Sequence, residues 1–397
     1  MAIEMVEENN SCTRIVVVGV GGAGSNSINR MIDANVKGVE FIAVNTDKQA
    51  LKSCKATRKI HIGEKITGGR GAGAIPDIGE KAANESKEEI KEVLRNANMV
   101  FIAAGMGGGT GTGASPIVAK IAKDLGALTI GVVTTPFNFE KKVKGRVAEE
   151  GISKLRSVVD TLIVISNQAL LNNDENITLK ETWMRADNVL MQGVSGISDL
   201  IINPGEINID FADVQTVMKE KGQAIMGVGI GRGENAAIDA VTMAIQNPLM
   251  PNLLVDNAKA VLVNISGSSK MKTKQFHDVM KFIENSVTDD SLVIPGQSFD
   301  DSLNDAIKVT IIATGFESID RTGNTDQFTE VQKVKTQSTI QVSENLFHYN
   351  DYLELISKSK DVKQTTNDLE EPAFMRKFKE AEKGGRAQEY DFLIKKN

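Results

Sequence analysis

The stretch Met99-Val100-Phe101-Ile102-Ala103-Ala104-Gly105-Met106-Gly107-Gly108-Gly109-Thr110-Gly111-Thr112-Gly113 decides the fold class. Met99 to Ala103 is a short apolar run with no polar face, the pattern of a strand buried on both sides of a parallel sheet. Behind the glycines, Ser115 and Pro116 suit the N-cap and first position of a helix reaching Leu125. Glycines packed this densely leave main-chain N–H groups uncovered, and Thr110 and Thr112 add hydroxyls. The segment therefore reads as a cradle for phosphate oxygens.

The same order of strand, glycines and helix occurs earlier. Ile15 to Val18 precedes Gly19-Val20-Gly21-Gly22-Ala23-Gly24-Ser25-Asn26, and a helix is expected over Ser27 to Ile32. The G-x-G-x-x-G spacing matches the dinucleotide fingerprint, with Asp47 of Asn45-Thr46-Asp47 placed to hold a ribose. Taken alone, that loop points to a nicotinamide-dependent oxidoreductase, or to a tight turn with no ligand. Gly19 and Gly24 also have P-loop spacing, but Ser25-Asn26 stands where Lys-Ser/Thr would read terminal phosphates, so an ordinary P-loop is excluded. A dinucleotide enzyme has no use for two phosphate loops on neighbouring strands. A third glycine run, Gly68-Gly69-Arg70-Gly71-Ala72-Gly73-Ala74, adds another wall, and three loops about one crevice suit a triphosphate.

Further apolar runs at Phe41 to Val44, Leu128 to Val133 and Leu162 to Ile165 complete an α/β domain with a parallel sheet, its crevice at the strand C-terminal ends. Leu179, Trp183, Ala186, Leu190, Val194, Ile197 and Ile201 recur at spacings of three and four, which predicts one long helix over Asn176 to Ile202, stopped by Pro204 and Gly205. An α+β unit follows, with helices over Glu234 to Ile245 and Thr273 to Asn285 and strands at Ala260 to Ile265, Ser291 to Ile294 and Lys308 to Thr314. The expected organisation is an N-terminal extension (1–13), a nucleotide domain (14–175), the long helix with the loop after it (176–221), the α+β domain (222–316), a linker (317–369) and a tail (370–397). Within the linker, Phe347, Tyr349, Tyr352, Leu353 and Ile356 suit a short ordered piece.

Composition narrows the class. Among 397 residues, 46 basic and 52 acidic side chains leave a net charge of -6, against the basic excess of a nucleic-acid binder. Cys12 and Cys54 have no metal-ligand spacing, and three histidines are too few for a protein-built zinc site. No run approaches the ~18 apolar residues of a membrane span, and the acidic start is unlike a signal peptide. A cytoplasmic protein, neither exported nor inserted into a membrane, is expected.

Gly107 to Gly113, behind the Ala-Ala-Gly strand end, resembles the signature of the tubulin/FtsZ GTPase superfamily. The resemblance, closest to the bacterial cell-division branch, runs from about Arg14 to Phe316 and takes in Asn45-Thr46-Asp47, Pro136-Phe137-Asn138-Phe139-Glu140 and Asn208-Ile209-Asp210-Phe211-Ala212-Asp213. It implies a tubulin-like fold: a Rossmann-like GTP-binding domain, a long central helix and an α+β C-terminal domain. It also implies GTP or GDP, with Mg2+ held through phosphates and water. By the same resemblance Gly21, Gly22, Ala23, Gly24, Ser25 and Asn26, with Gly71, Ala72, Gly107, Gly108, Gly109, Thr110, Gly111 and Thr112, surround the phosphates. Glu140 and Lys144 serve the ribose and phosphate region, and Asn167 lies near the sugar. Trp183 flanks guanine and Asp187 bonds its edge, where a carboxylate can accept from N1–H and N2–H together.

Lys144 replaces the family's usual Arg, losing the planar fork, Ile75 replaces its common Asn, and Trp183 its usual Phe. Plainer readings stand beside these: Glu140 and Lys144 as an i, i+4 surface pair, and Trp183 as core. The resemblance assigns Asn208, Asp210 and Asp213 to catalysis in the pocket of a neighbouring subunit, hence head-to-tail filaments of a division ring. Locally, Asp210-x-x-Asp213 is also a capping-box variant opening a helix to Lys221. The alternative at the level of function is a nucleotide-dependent filament with weak or no hydrolysis. Pro372, Ala373, Phe374, Met375 and Arg376 resemble the family's docking peptide for membrane tethers and division regulators, or form a solvated tail.

Overall fold

The computed structural model describes residues 13–171, 178–202, 206–207, 209–219, 222–246 and 258–316. The expected extension, linker and tail, Asn208, and the docking peptide lie outside them. Strands β1 (Ile15–Val20), β2 (Val39–Asn45) and β3 (Arg58–His61) alternate with helices α1 (Gly21–Asp33) and α2 (Lys48–Ser53). Helices α3 (Glu64–Thr67), α4 (Pro76–Glu85) and α5 (Lys87–Leu94) lead to β4 (Met99–Gly105), α6 (Thr110–Asp124), β5 (Leu128–Thr135), α7 (Lys142–Arg156) and β6 (Thr161–Ser166). Next come α8 (Leu179–Ile202), α9 (Phe211–Lys219), β7 (Gly222–Gly231), α10 (Ala236–Ile245), β8 (Ala260–Gly267), α11 (Thr273–Glu284), β9 (Leu292–Phe299) and β10 (Ile307–Phe316).

Among the described residues, ten strands join one sheet in the order β3-β2-β1-β4-β5-β6-β7-β10-β8-β9. From β3 to β7 every pairing is parallel, while β10 runs antiparallel to both β7 and β8. Successive side chains of a strand point to opposite faces, so Ile15 and Val17 enter one core and Val16, Val18 and Val20 another. The second face is covered by α4 to α7, whose Ala82, Ile90, Val118 and Leu155 meet it. The first receives α8: Leu190, Val194 and Ile197 pack with Val17, Val132 and Ile163, and also with Met226, Leu262 and Ile312 of the later strands. One helix thereby seals both halves of the sheet, which is why its apolar stripe is so long. A third cluster packs α10 and α11 on the remaining face through Val241, Val279 and Ile311.

The glycine loops are shorter than their sequence suggests. α1 begins at Gly21, directly after β1, rather than at Ser27. α6 begins at Thr110, and Ser115 and Pro116 lie inside it instead of capping it; the Ser115 hydroxyl donates back to the Gly111 carbonyl. A proline there removes one N–H bond, and the glycines before it accept helical geometry because Gly111 must approach Gly105 closely: a Cβ on Gly111 would lie 2.5 Å from the Gly105 carbonyl oxygen.

Candidate functional site

Every segment singled out for nucleotide binding, except the third glycine run, leaves a strand at its C-terminal end or faces one that does. In a parallel sheet this edge is where neighbouring loops diverge and a ligand crevice opens. β1 and β4 are direct neighbours, with Val20 opposite Ala104, so the first and second glycine segments lie side by side. A Cβ on Gly21 would come within 2.9 Å of the Gly111 nitrogen, and one on Gly105 within 2.8 Å of the Ala23 Cβ. On the other flank, a Cβ on Gly109 would meet the Ala72 Cβ and the Ile75 nitrogen, each at 2.8 Å, so the third glycine run closes that side. Glycine is required at these positions by neighbouring backbone. At Gly22 and Gly108 the opposite holds: an added Cβ would meet no atom within 4 Å, so these two border open space.

Both long helices start at this edge. The N-termini of α1 and α6 present unpaired N–H groups and the positive end of their dipoles, which favours an anion. α7 joins them, because a Cβ on Gly107 would lie 2.9 Å from the Lys144 carbonyl oxygen. Not all the expected hydroxyls face outward. Ser25 is buried and donates to the Gly21 carbonyl at 2.9 Å. Thr112 is buried too, its Oγ1 accepting the Gly107 N–H at 2.9 Å, so it braces the second loop from inside. Thr110 shares a 2.6 Å hydrogen bond with Thr46 at the end of β2. Asp47 is not a free ribose acid: its carboxylate accepts from Gln49 and Ala50 N–H groups as the N-cap of α2.

After β5 the chain turns through Pro136 to Glu140. Phe137 and Phe139 stack with centroids 4.9 Å apart, and the Trp183 ring stands edge-on to Phe137 at 5.1 Å. Trp183 is 42% exposed, so it is not core. Glu140 accepts from the Phe137 N–H at 3.1 Å and from Lys144 Nζ at 2.8 Å, so the i, i+4 pair forms as drawn from spacing. Asn167 follows β6 directly and is buried, with its Oδ1 lacking any hydrogen-bond partner. A buried polar oxygen without a donor is costly, and this one is free to accept from a bound group. Asp187 carries an unforeseen partner, Arg30 of α1, at 3.0 Å. Burial raises its carboxyl above the ordinary range, while the Arg30 hydrogen bond and charge pull it back.

The candidate catalytic acids lie elsewhere. Asp210 precedes α9, and the two carboxylates exchange bonds: Asp213 N–H donates to Asp210 at 2.8 Å, and Asp210 N–H to Asp213 at 3.2 Å. The capping box is thus real. Further along α9, the Met218 carbonyl accepts from Thr161, the first residue of β6. The C-terminal end of α9 therefore sits at the strand N-terminal edge, opposite the glycine segments, and β4, seven residues long, spans about 23 Å between those edges. Among the described residues no group of three or more His, Cys, Asp or Glu could hold a metal ion, and no helix is long and apolar enough to cross a membrane.

Comparison with known proteins agrees with this architecture. The family model for the GTPase domain of the Tubulin/FtsZ family matches residues 14–175, and that for the C-terminal domain of the FtsZ family matches residues 222–317. Among solved structures, the chain is similar to an FtsZ dimer from M. jannaschii, with 42% identity over 76% of this chain and 88% of that one and a TM-score of 0.73. A point mutant of FtsZ from M. jannaschii gives 42% identity, 77% and 91% coverage and a TM-score of 0.73. CetZ2 from Haloferax volcanii, described as a GTPγS-bound protofilament, shares the fold at 20% identity, with 78% and 95% coverage and a TM-score of 0.65. These matches place the chain on the FtsZ branch of the tubulin/FtsZ family of GTPases.

Proposed function

We propose that this chain assembles head to tail and hydrolyses GTP at the junction between copies, as the filament-forming GTPase of a prokaryotic division ring. The observation that carries the proposal is the separation within one molecule. The glycine crevice opens at the strand C-terminal edge, where α8 also begins with Trp183 beside Phe137, while the Asp210/Asp213 pair follows the far end of that helix and opens α9, whose last turn reaches the strand N-terminal edge. A copy stacked on the crevice through its acidic edge would complete the site, and a contact between two unlike surfaces propagates as an open filament. On this reading residues 14–175 hold nucleotide, 176–221 bring the acids and 222–316 support the acid-bearing edge. The resemblance suggests a bacterial cell; the structural relatives named above come from M. jannaschii and Haloferax volcanii.

The residues present fit GTP. Gly22 and Gly108 open on to free space at helix starts, and Asn167 Oδ1 needs a donor such as a sugar hydroxyl. Gly21 to Asn26, Gly71, Ala72 and Gly107 to Thr110 would hold the phosphates by main-chain N–H groups, with Gly111 and the braced Thr112 keeping that shape. Glu140 and Lys144 would meet the ribose side, Trp183 the guanine face and Asp187 its N–H edge. Mg2+, carried by the phosphates and water, would offset their charge. The protein's own part in catalysis is placement: Asp210 and Asp213 each use one oxygen in the capping box, leaving the other to orient an attacking water, and the resemblance assigns Asn208 to the same step.

The test follows from the box. Asp210→Asn and Asp213→Asn keep a capping oxygen and remove the charge, so both variants bind GTP and pellet with it while phosphate release falls by about 100-fold or more. Ordinary turnover in both would overturn the catalytic assignment. If the unaltered chain pellets with GTP and releases no phosphate, the chain is the non-hydrolysing filament instead.

A further inference from the structure

His61 ends β3 beside the C-terminal end of β2, with its ring mostly buried. Nδ1 lies 2.6 Å from Glu64 Oε2 on α3, and Nε2 lies 3.3 Å from the main-chain oxygen of Thr46. A carbonyl oxygen cannot donate. Nor can Glu64, whose carboxyl is held below the ordinary range first by the hydrogen bond from Lys48 and then by the Lys48 charge. A ring set between two acceptors satisfies both only when both nitrogens carry protons. Losing one proton turns a lone pair on to an oxygen.

Thr46 is the residue this affects. Its carbonyl also accepts the Gly71 N–H at 3.1 Å, and its Oγ1 is the 2.6 Å partner of Thr110. The Thr67 hydroxyl lies 3.4 Å from the same carbonyl, but its single proton has the nearer Gly63 carbonyl at 2.9 Å. Thr46 thus ties the third glycine run to the head of the second, and His61 holds it from behind. The charged groups about the ring are Glu64 on α3 and Lys48 on α2, which is bonded to Glu64. Asp47 is spent on the α2 cap and pairs through its main chain with Arg70.

Resting on the GTP-binding reading above, we propose that the imidazolium of His61 is a positioning group of the nucleotide site, holding Thr46 so that Gly71 and Thr110 keep their places about the phosphates. GTP binding is then linked to the proton on His61. The ring touches no substrate; it acts through Thr46.

The experiment uses the full chain below its assembly concentration. GTP affinity is measured by calorimetry between about pH 5.5 and 8, the range in which imidazoles change charge. It weakens about fivefold as the ring loses its proton, a coupling of ordinary size. In His61→Gln, which offers one donor group at every pH, that step is absent. Histidine NMR on the unaltered chain gives the reciprocal readout without a variant: GTP moves the ring's titration midpoint upward by the logarithm of the same factor. A midpoint unmoved by GTP, or a pH profile in His61→Gln, where only the terminal phosphate of GTP itself titrates, identical to that of the unaltered chain, overturns the inference while GTP binding stands. Absence of GTP binding at every pH overturns the reading beneath it, and the inference with it.

Discussion

Glycine has two separate jobs here, and single substitutions tell them apart. Gly113 touches the α4 backbone so closely that a Cβ would overlap the Pro76 carbonyl oxygen. Gly113→Ala should therefore cost about 1–3 kcal/mol or more of stability, read by urea unfolding. Gly22→Ala adds a methyl where nothing lies within 4 Å, in the first turn of a helix. It should leave stability unchanged or up to about 1 kcal/mol higher while weakening GTP binding at least tenfold. Equal stability losses in the two variants would contradict this division. Asp187 gives a pH test. Its carboxyl is raised above 3.8, chiefly by burial, so the folded state holds the proton to higher pH than the unfolded chain does. Ionising it costs the folded state, and stability falls as pH rises from 3.8 through the folded value. Asp187→Asn should lose less stability over that rise in stepped-pH unfolding; an identical profile would contradict the assignment. The sequence showed Asp187 and Trp183 on one helix face, because spacing reveals a face. It could not show Arg30, which lies 157 residues away in the chain.

At the scale of elements, the departures from the family pattern acquire physical meaning. Ile75 is the N-cap of α4, half exposed and with no side-chain bond to the helix, ahead of Pro76 in the first turn. Asparagine there would supply the missing acceptor. Ile75→Asn should raise stability by about 1 kcal/mol, measured as a shift in the unfolding midpoint, and no gain would mean the cap does not form. The strands most legible in the sequence were those buried on both faces, β1, β2, β4, β5 and β6, since continuous apolar runs have few other uses. β3 passed unread because it is an edge strand whose Arg58 and Lys59 face solvent. β7 was hidden by its glycines, yet Gly229 and Gly231 are what let α10 approach: a Cβ on either would overlap main-chain oxygens of Ala240 and Ala236. For the same reason α1 and α6 start earlier than expected, as glycines read as loop where they permit a helix to begin against its neighbour.

For the molecule as a whole, the sheet matters more than any single loop. Its ten strands run without a break from the nucleotide half into the later strands, and α8, 24 residues or about 36 Å long, buries one stripe against both. Trp183 near its start packs on Phe137 after β5, and the last turn of α9, beyond its end, lies at the opposite edge. On the proposed reading, such an arrangement keeps the crevice and the acids from meeting within one copy. The most direct test is phosphate release from GTP across a dilution series of the unaltered chain. Release per molecule should be nearly absent at low concentration and rise steeply above a threshold that coincides with pelleting. A rate per molecule that stays constant and full down to the highest dilution would contradict the account.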